Sequence, residues 1–114
     1  MPDSDGRSVM DNTLIVWGSE LADGWHGYQH YCPILIGGDW HFGAGKYHFY
    51  PHQTPVNILT RTGYVPQSGL PHQHLLVSLA QAMGVDTNEI GLNHLISQQG
   101  HVIDTHGPLI GLRG

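Results

Sequence analysis

Positive charge is scarce in this chain. Four Lys and Arg residues stand against nine Asp and Glu among 114 residues, a formal charge of −5 with neutral histidines. Neutralising a nucleic-acid backbone takes clustered Lys and Arg, and none cluster here, so a nucleic-acid partner is not expected at neutral pH. Charge of either sign is sparse: 11% of residues, where an average globular domain has roughly 25%. Ten histidines and sixteen glycines take up much of the missing share. Protonating several imidazoles near about pH 5–6 would reverse the net sign, so the exclusion belongs to neutral pH.

Other absences narrow the field further. A single cysteine, Cys32, excludes an internal disulfide and leaves the redox compartment unread. It lies in an apolar run, where a buried, inert thiol is expected. No apolar stretch approaches the ~20 residues of a membrane span. The opening "MPDSDGRSVMD" is polar and acidic, the opposite of a signal peptide's plan, so no localisation is read from it. There is no G-x-S-x-G, P-loop or C-x-x-C pattern, and Ser19 and Ser78 have no evident base partner. Without a nucleophile, a complete hydrolytic site is not expected.

The length suits one domain or a piece of one, with a single small core. Residues 1–12 read as a polar lead-in and 13–114 as one segment. "TLIVWGS" (Thr13–Ser19) and "CPILIGG" (Cys32–Gly38) are β-prone runs, apolar on both faces, which predicts strands covered on both sides. Pro33 at the second run's start costs no ladder bond. Residues 39–50 predict a turn and a short edge strand, and 51–71 a proline-rich connector with a short strand in "TPVNILTRTGYVP". "LPHQHLLVSLAQAMGVD" predicts a helix, with Leu75, Leu76, Leu79 and Met83 on one stripe and Gly84 as its C-terminal cap. Beyond it the pattern has no clear period, save a short helical turn capped by Asp86 or Thr87. Two buried strands with one helix make a small and incomplete α/β fold.

The loop between the two apolar runs carries Glu20, Asp23, His26 and His30. An acid directly after a buried strand stands where α/β sheets bind ligands. Carboxylate oxygen and imidazole nitrogen together suit a divalent metal, zinc foremost. The bland alternative is a glycine-rich surface loop whose histidines bond backbone. His101, Asp104 and His106 share a ligand-like composition without a recognised spacing, and no role is assigned to them. His72 and His74 flank the helix start as solvated cap residues; His41, His48, His52 and His94 are structural or exposed. Trp17, Trp25 and Trp40 read as core or loop anchors.

As a set, "MDNTLIVWGSELADGWHGYQHYCPILIGG", "HLLVSLAQAMGV" and "GPLIGLRG" resemble the C-terminal segment of an exported, uncharacterised bacterial family named for an HxxSHH motif, and are similar to a related twin-arginine-exported family. Both belong to the alkaline phosphatase and sulfatase superfamily. The resemblance implies the C-terminal part of an alkaline-phosphatase-like sheet with a flanking helix. It also implies a metal-dependent phosphoric or sulfuric ester hydrolase as the parent activity. By position Glu20 maps to the acidic metal ligand and His26 to the histidine ahead of the proline strand, with His30 as the alternative. The HxxSHH motif is absent, and Leu21 stands where the superfamily's Asp-His pair would put its histidine. The first reading is therefore a fragment or stand-alone remnant of a hydrolase-like domain, inactive alone and binding a divalent metal weakly or not at all. The second is a non-enzymatic interaction module that associates with itself or with a partner chain supplying the missing half. A histidine-rich metal-sequestering protein ranks last, because the histidines are dispersed.

Overall fold

Short strands paired as hairpins and one α-helix carry the structure, a computed structural model that describes residues 1–19, 31–43, 45–51, 56–60, 63–67, 70–92, 94–96, 100 and 102–113. The strands are β1 (Leu14–Trp17), β2 (Ile34–Gly37), β3 (Val56–Thr60), β4 (Gly63–Gln67), β5 (His94–Ile96) and β6 (Val102–Asp104); the helix α1 spans His72–Ala82. Each strand pairs antiparallel with its sequence neighbour, β1 with β2, β3 with β4 and β5 with β6. Helix and strand are thus both present, as small antiparallel pairs. Among the described residues no helix is long and apolar enough to cross a membrane.

The β1–β2 hairpin follows from its composition. β-Branched Ile15, Val16, Ile34 and Ile36 prefer the pleated backbone, and the register sets Leu14 opposite Gly37, Ile15 opposite Ile36, Val16 opposite Leu35 and Trp17 opposite Ile34. Alternation puts Leu14, Val16 and Leu35 on one face and Ile15, Trp17, Ile34 and Ile36 on the other. Leu14 and Leu35 pack on the core. The second face stays open: Ile15, Trp17, Ile34 and Ile36 are 40%, 65%, 48% and 41% exposed. The expectation of strands covered on both sides is corrected here. Composition marked both faces as apolar, but the described residues cover only Leu14 and Leu35 on the first face, where Val16 is still 45% exposed.

Gly37 and Gly38 end β2 with φ of 81° and 73°. A side chain on Gly37 would collide with the Thr13 carbonyl, which accepts the Gly38 N–H at 3.1 Å. The Gly38 carbonyl then accepts the His41 and Phe42 N–H groups, turning the chain so that Phe42 enters the core at 4% exposure. The expected edge strand within 39–50 does not form in the described part; turn and irregular backbone occupy it.

Helix α1 starts after Pro71 and buries Leu75, Val77, Ser78 and Ala82. Leu75, Phe42, Ala82 and Leu112 form the core cluster, joined by Leu14, Leu35, Leu79 and Leu109. Burying a leucine side chain stabilises by roughly 1.5–3 kcal/mol, so this small cluster carries much of the fold. Met83, expected on the buried stripe, is 63% exposed, because the helix ends at Ala82 and Met83 is its cap. Gly84, at φ 82°, closes the helix as expected: its N–H reaches the Gln81 carbonyl while the Val85 N–H reaches Ala80. That pair of bonds is a Schellman cap.

The C-terminal strap, Thr105–Leu112, lies along α1. The Leu109 N–H meets both the His74 carbonyl at 3.0 Å and Ser78 Oγ at 2.8 Å. Tyr50 Oη donates to the Ile110 carbonyl at 2.7 Å, and buried Thr105 donates to the Leu92 carbonyl. Trp40 anchors the helix end, its indole N–H donating to the Ala82 carbonyl at 2.9 Å. No short helix forms at Asp86 or Thr87; Thr87 Oγ accepts the Glu89 N–H and donates to the Glu89 carbonyl, closing a hydroxyl turn instead.

Candidate functional site

The expected site loop springs from the end of β1 and returns into β2. Trp17 and Ile34 are the last paired residues, so the two feet of the loop stand side by side. Tyr31 fills the space next to Gly18, where an added Cβ would lie 2.6 Å from its phenol oxygen and 3.7 Å from Pro33 Cα. The Tyr31 ring also meets the His72 ring edge-on, at 5.6 Å and 87°. The returning foot is therefore set against the first turn of α1. Glu20, Asp23, His26 and His30 lie outside the described residues, as do Leu21, Trp25, His52 and His101. Among the described residues, no group of three or more His, Cys, Asp or Glu side chains is placed to hold a metal ion.

Cys32, beside this foot, is exposed. The expectation of a buried thiol is corrected. The strand begins two residues later, at Ile34, so the start of the apolar run belongs to the loop.

His106 engages two carboxylates through its ring. Its Nδ1 lies 2.8 Å from Asp104 Oδ1 and its Nε2 3.1 Å from Glu89 Oε2. The His106 N–H also donates to Asp104 Oδ1, at 3.0 Å. An imidazole donates from both nitrogens only when protonated. The Asp104 bond foremost, then the charges of Asp104 and Glu89, raise the His106 pKa. In return the His106 backbone N–H, then its ring, hold the Asp104 carboxyl below its usual range, with His74 adding a favourable charge. His74 Nδ1 lies 3.0 Å from the Gly107 carbonyl, which places it nearer a structural than a solvated cap role. Sequence reading did not single out Glu89. It stands 17 positions before His106 in no motif, and only the docking of the strap brings the two together.

The acidic lead-in satisfies itself. Asp5 accepts the Arg7 N–H at 2.9 Å, pairs with the Arg7 guanidinium at 2.8 Å, and shares the Asn12 amide with Asp3. The Arg7 N–H first, then Asn12 and the guanidinium, lower the Asp5 pKa to about 2. Ser8 and Asp11 close a reciprocal capping box over the 3-10 turn Val9–Asn12. A cleft of about 240 Å³ is lined by Arg7, Asn12 and Trp40, and the Arg7 guanidinium there is already engaged by Asp5.

Comparison with protein-family models, curated proteins and solved structures gives no match for this chain.

Proposed function

We propose that the chain is the C-terminal piece of a metal-dependent hydrolase-like domain, related to phosphatases and sulfatases and inactive alone. Its loop donates Glu20 and His26, with His30 or Asp23 as further donors, to a divalent-metal site that another segment or chain completes. The observation that carries the reading is the β1–β2 hairpin: pairing of Trp17 with Ile34 sets both feet of the donor loop together. Glu20 and His26 alone make a half-site, since a closed zinc site takes four ligands and a catalytic one three plus water; His30 or Asp23 supplies a third, and the partner segment the rest. Zinc is the preferred ion for a mixed carboxylate and imidazole set.

Calorimetric zinc titration of the full chain tests it. Weak binding that Glu20→Ala and His26→Ala each reduce is the expected result. Zinc binding indifferent to both substitutions would remove the loop from consideration.

A second reading, an interaction module without chemistry, draws on the open apolar face of Ile15, Trp17, Ile34 and Ile36. Such a face invites a second copy or a partner chain. Both readings need an associate; the metal titration separates them.

A further inference from the structure

Three features outside the proposed site could do something: the open face of β1–β2, the lone thiol of Cys32, and the carboxylates gathered on His106. Nothing shows what covers the first, and the second is a single cysteine. The third joins two separate stretches of chain through one titratable ring, and it goes beyond the proposed function.

We propose that His106 is a proton-operated clasp that holds the C-terminal strap to the α1–β5 connection, so that the strap docks more tightly in mild acid than in mild alkali. Its two ring nitrogens reach carboxylates from different segments, Asp104 on β6 at 2.8 Å and Glu89 in the α1–β5 connection at 3.1 Å. The next residue, Gly107, donates its N–H to the Asn88 carbonyl at 2.7 Å, and its own carbonyl meets His74 Nδ1. Two residues further, Leu109 binds His74 and Ser78 of α1 and packs on the core. The clasp thus sits at the entry of the strap. When the imidazolium loses its proton, one ring nitrogen becomes an acceptor facing a carboxylate oxygen, and one of the two bonds is lost.

The surrounding charges agree on the direction. Asp104 from β6 and Glu89 from the connection favour the imidazolium. His74 of α1 acts on Asp104, and His94 of β5 stands opposite Asp104 in the strand register. His106 has its pKa raised above 6.5. Its contribution is therefore fully present below 6.5 and is lost as pH rises through the higher folded value. Asp104, lowered from 3.8, contributes above 3.8 and loses that contribution as pH falls through its folded value. Between these limits the clasp is closed.

The test is NMR on the full chain, following the His106 ring resonances and the exchange of the Gly107 and Leu109 amides, corrected for intrinsic base catalysis. Amide protection should fall roughly two- to fivefold, the scale of an exposed ion pair, over the pH range in which His106 deprotonates. Glu89→Gln should move the His106 titration toward the ordinary histidine value and shrink the pH dependence; His106→Gln should abolish it. If His106→Gln does not fold, Glu89→Gln carries the test, because that side chain is 56% exposed. Protection that stays flat while His106 titrates, or a His106 titration unmoved by Glu89→Gln, would overturn the proposal.

Discussion

If the open face of β1–β2 joins two copies, as the second reading proposes, replacing Trp17 with threonine should weaken that association by one to two orders of magnitude. Trp17 is 65% exposed; with roughly 200 Å² for a whole tryptophan, about 130 Å² lies open on the free face of β1–β2. Covering that area at about 25 cal/mol per Å² would contribute up to about 3 kcal/mol, or about 150-fold in affinity. Ordering and desolvation consume part of this, so the expected loss is roughly 10- to 100-fold. Threonine keeps the strand preference while removing the area. Ile15, Ile34 and Ile36 complete the same face, so Ile34→Thr should act in the same direction with a smaller effect. Sedimentation velocity across a concentration series reads the result directly. A wild-type chain that stays monomeric at high concentration, or Trp17→Thr associating as strongly as wild type, would refute the reasoning.

Three further outcomes are expected. The isolated chain should not turn over aryl phosphate or aryl sulfate with zinc or manganese, since its residues include no identifiable nucleophile; metal-dependent turnover lost in Glu20→Ala would contradict this. Zinc should bind more tightly at about pH 8 than at about pH 6, because imidazole ligands must shed their protons first, and calorimetry showing the reverse order would exclude histidine ligands. Leu75→Ala, at a site 6% exposed in the core cluster, should cost about 2–5 kcal/mol, read as a lower midpoint in denaturant; an unchanged midpoint would show that this cluster does not carry the fold.

Local signals were legible where one element holds the whole message. Pro71, the leucine spacing and Gly84 announce α1, and its cap forms as those residues require. The β-branched runs announce β1 and β2, yet not their exposure, because burial depends on a neighbouring layer that composition cannot supply. "TPVNILTRTGYVP" announced one strand and holds two, paired across Val56–Gln67 through Thr60–Gly63. The β5–β6 hairpin was not legible: a three-residue strand is too short for a period of two to stand out. The donor loop's chemistry can be read from Glu20, Asp23, His26 and His30, whose placement lies outside the described residues. The His106 cluster needed the strap's path, which no local pattern encodes.

The one thiol has a practical consequence. Cys32 is the only cysteine in the sequence and is exposed at the returning foot of the donor loop. A maleimide-linked fluorophore would therefore attach at one defined place in the native sequence, with no background to engineer away. Its polarisation would report how freely the neighbouring loop tumbles, before and after zinc. In air the same thiol would couple two chains covalently, so association measurements belong under reductant, and a dimer that vanishes with reductant should be ascribed to Cys32 alone.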